Sequence, residues 1–86
     1  MDDSVKASLE SIYNALSKRR AKAAYMYVHT DGDPDYECEW DECRKYMREV
    51  EANVAEEGYK FERVKNVVEG RIAYDIYKLV PAEETK

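Results

Sequence analysis

The sequence contains no glutamine, one histidine, two prolines, two cysteines and three glycines in 86 residues. Each scarcity closes off a class of chemistry. Three glycines leave no Gly-rich phosphate loop and no G-x-G-x-x-G fingerprint. The single histidine, with no serine or cysteine in a nucleophile-elbow context, leaves no constellation for nucleophilic or acid–base catalysis, so the chain is expected not to be an enzyme. Two cysteines, Cys38 and Cys43, are too few for a disulfide framework and are expected to stay thiols in a reducing compartment. No apolar run approaches the roughly 20 residues of a membrane span. The opening "MDDSVKASLE" also lacks the apolar core of a signal peptide. A cytoplasmic chain without membrane contact is expected. Missing glutamine, with three asparagines and dense Glu, Lys and Arg, is a bias associated with proteins of hot environments.

What the chain does have is acid. Nineteen Asp and Glu against fourteen Lys and Arg give a formal net charge of −5. Long-range repulsion of that sign disfavours nucleic acid and anionic membrane as partners. A chain of this length buries roughly 60 to 65% of its unfolded surface, enough for one two-layer core and no deep cavity.

Apolar periodicity marks two helices. Residues 4 to 20 set Val5, Leu9, Ile12, Tyr13 and Leu16 on one stripe, with Asp2, Asp3 and Ser4 as caps and Lys18, Arg19 and Arg20 in the last turn. Residues 42 to 57 do the same with Cys43, Tyr46, Met47, Val50 and Val54, followed by Gly58 as a C-terminal stop. Residues 22 to 30, "KAAYMYVHT", read as strand, as do 59 to 68 and 71 to 80 around a Glu69-Gly70 turn. In that second hairpin Tyr59, Phe61 and Val67 share a face with Ile72, Tyr74, Ile76 and Val80. Pro81 ends it.

Between the first strand and the second helix lies "DGDPDYECEWDE", with an acid at every odd position from 31 to 41. Asp31, Asp33, Asp35, Glu39 and Glu42 occupy positions 1, 3, 5, 9 and 12 of a calcium loop, but Tyr36 stands where the sharp turn requires glycine. His29, Cys38 and Cys43 lack the spacing and the fourth ligand of a zinc site. No metal and no cofactor are expected. Strict alternation instead reads as a half-buried strand, with Tyr36, Cys38 and Trp40 inward and Asp35, Glu37 and Glu39 outward. Trp40 is expected to be buried against Met26. Matching this strand to Ala24, Met26 and Val28 requires an odd loop such as "DGD". Tyr25, Tyr27 and His29 then share the outer face with Asp35, Glu37 and Glu39. Those six residues are the expected partner-binding surface, suited to Arg and Lys side chains.

The expected fold is therefore α+β, a small single domain over residues 1 to 80 with a flexible C-terminal tail, 81 to 86. Its antiparallel sheet consists of two hairpins, with two helices packed on one face, in the order α-β-β-α-β-β. The expected function is that of a small acidic interaction protein, an adaptor or inhibitor of DNA-mimic character, binding a basic protein surface. A homodimer through a sheet edge is compatible with this arrangement.

A different reading starts from the C-terminal half. The fragment "EEGYKFERV" running into "EGRIAYDIYKL", preceded by a helix over 41 to 57, resembles winged-helix regulators. The resemblance implies a DNA-binding protein whose recognition helix and two-stranded wing use Arg44, Lys45, Arg48, Arg63, Lys65 and Arg71 on phosphates and bases. Where that family has a short helix before the recognition helix, this chain has "DGDPDYECEWDE".

Overall fold

No glycine or proline interrupts residues 1 to 31, and the first helix uses nearly all of that length. A computed structural model describes residues 1–82, in which α1 spans Asp3–His29, α2 Pro34–Glu56, β1 Tyr59–Glu69 and β2 Ile72–Pro81. The order is thus α-α-β-β, with one two-stranded antiparallel sheet in place of the expected two hairpins. Asp2 caps α1 by accepting from the Ser4 N–H. Alanines 21, 23 and 24 carry the helix through the segment read as strand, because alanine is the strongest helix former and outweighs the β preference of Tyr25, Tyr27 and Val28.

The turn between the helices is built from the acids of the opening motif. Asp31 takes a left-handed φ of 58° and Gly32 one of 82°, and the Gly32 N–H closes back on the Tyr27 carbonyl at 2.8 Å. Aspartate and glycine are the residues that enter this conformation at least cost. Asp33 then caps α2, accepting from the Asp35 N–H at 3.0 Å, and Pro34 sits in the first turn where its missing donor is not needed. Asp35 and Glu37 follow beside the positive end of the helix dipole. Residues 35 to 41 are therefore helical, and the alternating acids do not face one side. The short helix implied by the winged-helix resemblance is absorbed into one continuous α2.

The β hairpin closes through Gly70 and Arg71, one residue later than expected, with Glu69 opposite Ile72. A two-residue slip in pairing leaves the faces unchanged. The bulge between Arg63 and Lys65 does change them. It reverses the alternation of β1, so Val67 stays with Ile72, Tyr74 and Ile76, whereas Tyr59 and Phe61 cross to the side of Tyr77 and Leu79. The expected single apolar face is thus two half-faces.

Tyr13 joins all four elements. On α1, it stacks on Phe61 of β1 with centroids 3.8 Å apart, meets Tyr77 of β2 edge-on at 5.0 Å, and donates its hydroxyl to Glu51 of α2. It is buried together with Ser17, Ala23, Cys43, Met47, Val54, Tyr74 and Leu79. Trp40 is only half-buried, contrary to expectation: with Tyr36 it occupies the half-buried turn end of the α2 seam, whereas Cys43 and Met47 further along it are buried. The helices do not cover one sheet face. Instead α1 lies along the outer edge of β2. Asn14 accepts from the Tyr77 N–H at 2.8 Å and donates to its carbonyl at 2.9 Å, Ser17 donates to the Asp75 carbonyl, and the Leu79 N–H donates to Glu10.

The molecule measures 46 × 26 × 22 Å with a radius of gyration of 14.4 Å. A compact chain of this length would have about 12 Å. Of the tail expected to be flexible, Pro81 belongs to β2, and residues 83 to 86 lie outside the described residues.

Burial raises the hydroxyl pKa of Tyr13 above its ordinary value of 10.0, and the Glu51 carboxylate raises it further. Tyr77 shifts the same way, first through burial and then through Asp75. The folded state therefore favours the neutral phenols. Their contribution is complete below the unfolded value near pH 10 and is lost as pH rises towards the folded values. Melting temperature is expected to fall above pH 10, and less steeply in Tyr13→Phe. A parent melting temperature unchanged across that range would contradict this.

Candidate functional site

The six residues expected to bind a partner lie on the two helices towards the turn that joins them, and they are distributed around that end of the helix pair. Successive helical residues turn by about 100°, so Tyr25 and Tyr27 point to nearly opposite sides. Tyr25 packs on His29, ring centroids 4.0 Å apart. Asp35 is exposed in the first turn of α2. Glu39 accepts from Arg19 at 2.8 Å, tying the helices together. Across the two helices, Tyr27 and Glu37 are the pair that the structure brings together, in one groove. The single outward sheet face does not exist, because neither segment is a strand.

Tyr27 and Glu37 line an open groove with Ala24, Val28 and Trp40. Its floor is apolar and accessible: Val28 is 70% exposed and Tyr27 37%. Gly32 lies close by, where an added Cβ would approach the Tyr27 hydroxyl at 3.4 Å, so glycine lets the turn fold tightly onto the ring. Asp31, Asp33 and Asp35 crown the same end of the molecule.

Trp40 also borders a second groove, between the helices and the hairpin. Arg20, Ala21 and Ala24 of α1, Arg44 of α2, and Asn66, Ala73 and Asp75 of the hairpin line it. The Arg44 guanidinium lies 5.4 Å from the Trp40 ring centroid, within cation–π reach. Further along α2, Arg44, Lys45 and Arg48 form an exposed basic stripe. Among the described residues the ion pairs are Lys6–Asp3, Lys18–Glu69, Arg19–Glu39 and Arg63–Asp75, so none of the three cations is held in a direct ion pair, although Asp41 and Glu49 line the same surface.

The remaining candidates separate. Cys43 is 1% exposed, and burial pushes its thiol up, the opposite of an activated nucleophile. Cys38 is exposed. Among the described residues no three His, Cys, Asp or Glu side chains converge as a metal site would require, and Asp33 spends its carboxylate on the α2 cap. No helix among them is long and apolar enough to cross a membrane.

Comparison with known proteins adds no relative: no family model, curated protein or solved structure matches the chain. Sequence reasoning missed two features of the site. The pairing of Trp40 with Arg44 was encoded as an i,i+4 spacing on α2, concealed by the strand reading of Trp40. The polar stripe Glu10, Asn14 and Ser17 was visible beside the apolar one but had no partner to explain it until β2 was in place.

Proposed function

We propose that the chain is a small non-enzymatic interaction module that takes a basic, amphipathic protein segment at the turn end of its helical hairpin. The observation that carries this reading is the exposed groove of Ala24, Tyr27, Val28 and Trp40 with Glu37 at its margin and the Asp31, Asp33 and Asp35 crown beside it. Aromatic rings supply contact area at little entropic cost and are enriched in binding hot spots. The surrounding carboxylates select Lys and Arg and speed encounter. Of the original surface, Tyr27 and Glu37 keep their roles, and Trp40 joins them.

Because Trp40 is half-buried, Trp40→Ala should cost about 1 to 2 kcal/mol, less than the roughly 3 to 5 lost with a fully buried tryptophan. The folded variant is then a clean reporter. Immobilised protein presented with a library of short peptides is expected to retain sequences with apolar centres and flanking Lys or Arg, and to release them as salt rises. Trp40→Ala and Glu37→Lys should each abolish retention. Selection of acidic peptides, or equal retention by Trp40→Ala, would defeat the proposal.

A second reading is favoured by the exposed cations Arg44, Lys45 and Arg48, free of direct ion pairs among the described residues, on a helix that precedes a β hairpin as a recognition helix precedes its wing. Under it the same residues contact phosphate, and a sequence-selective gel shift lost on Arg44→Ala would replace the peptide-binding reading.

A further inference from the structure

The two edges of the sheet are treated differently. On β2, Asp75, Tyr77 and Leu79 turn main-chain groups outward and find Ser17, Asn14 and Glu10. In an antiparallel ladder alternate residues bond to the partner strand, so the residues of β1 opposite these, Asn66, Arg63 and Phe61, turn their own N–H and C=O groups away from β2. Val68, two residues beyond Asn66, does likewise. Among the described residues, no side chain or main chain bonds to those outward groups of Arg63, Asn66 and Val68. Val64 and Val68 beside them are 56% and 66% exposed. A strand left open in this way, short of charge at two of its positions, is a template for another strand.

We propose that the occupant is a second copy of this chain, paired antiparallel through β1 about a twofold axis at Val67, giving a four-stranded sheet. Charge selects the copy and the register. With Val67 opposite its own equivalent, Lys65 of each copy faces Glu69 of the other, and Asn66 and Val68, whose outward groups are free, form the hydrogen-bonded pairs. Moving the axis to Lys65 would set two like charges against each other. Glu69 keeps room for a second cation: its side chain is 52% exposed while Lys18 lies 3.0 Å from one carboxylate oxygen and the Tyr74 hydroxyl donates to the other at 3.0 Å, each oxygen retaining a further lone pair. The bulge ends the pairing surface on one side and Gly70 ends it on the other. So short a contact lies at the small end of specific interfaces, and dimers form at high protein concentration.

The test uses the full chain in sedimentation equilibrium across a wide concentration range. The parent is expected to dimerise. Val68→Pro, which removes an outward N–H and spares the ladder to β2, should leave the circular dichroism spectrum intact and abolish the dimer. Lys65→Glu alone and Glu69→Lys alone should each weaken self-association by about tenfold, as two attractive cross-strand pairs become repulsive. Mixing those two variants restores complementarity at both pairs, so a heterodimer at least as tight as the parent is expected. A parent that stays monomeric overturns the proposal, as does a dimer indifferent to Val68→Pro. A mixture no tighter than its components overturns the register.

Discussion

Replacing Tyr13 with alanine is expected to unfold the domain. The ring is 4% exposed, stacks on Phe61, meets Tyr77 edge-on and bonds to Glu51, so one truncation loosens α2, β1 and β2 from α1 at once. Loss of a buried aromatic side chain costs about 3 to 5 kcal/mol. That is comparable with the whole stability of a small domain, about 5 to 15 kcal/mol at the usual range. Few other side chains are available to compensate, since the buried apolar set among the described residues is Tyr13, Ala23, Cys43, Met47, Val54, Tyr74 and Leu79. Denaturant unfolding should show the variant without a native baseline at room temperature. Tyr13→Phe keeps the stacking and loses only the hydroxyl bond to Glu51, which is exposed and can return to water. A Tyr13→Ala protein with a cooperative transition near that of the parent would mean that the elements hold together without this ring.

The second large effect belongs to Asn14. Its amide serves both the N–H and the carbonyl of Tyr77, at 2.8 and 2.9 Å. Alanine at this position leaves two part-buried main-chain groups without partners, at an expected cost of about 2 to 3 kcal/mol. Asn14→Asp should fall between, since a carboxylate still accepts from the Tyr77 N–H but meets its carbonyl with no donor. Ser17→Ala loses one bond and should cost less than Asn14→Ala. Thermal melts of the three variants would rank them. Equal melting temperatures would show that water replaces α1 along this edge at no cost.

The sequence made the two helix cores and the final hairpin legible; the hairpin lies within a residue of the expected bounds, whereas α1 runs to His29 past the expected end at 20 and α2 starts at Pro34, ahead of the expected 42. The middle of the chain misled because two periods compete there. Residues 35 to 41 alternate acid with non-acid, as a strand would, yet Tyr36, Trp40, Cys43, Met47, Val50 and Val54 recur at spacings of 4, 3, 4, 3 and 4, as a helix seam does. All six are buried or half-buried. The longer pattern prevails because it lets Asp33 and Pro34 act as cap and first-turn residue. The segment 22 to 30 was misread for its aromatic and β-branched residues, although no breaker separated it from the helix before it. Of the expected surface, the packing of Tyr25 on His29 and the common groove of Tyr27 and Glu37 are what remains, since that surface was derived from a register that two helices do not have. The bulge at Val64 left no sequence mark, because an extra residue in a strand is indistinguishable from an ordinary one until pairing is known.

The helix lying along β2 also sets the valency of the molecule. With one edge sealed and one open, the strand addition proposed above would stop at two copies, since each new neighbour would consume the only site the other offers. That seal is made of side chains, Glu10, Asn14 and Ser17, so it is subject to point substitution in a way that a backbone ladder is not. A chain that kept its fold but lost the seal would present two edges, and its assembly would have no terminus: the product would be a filament in place of a pair.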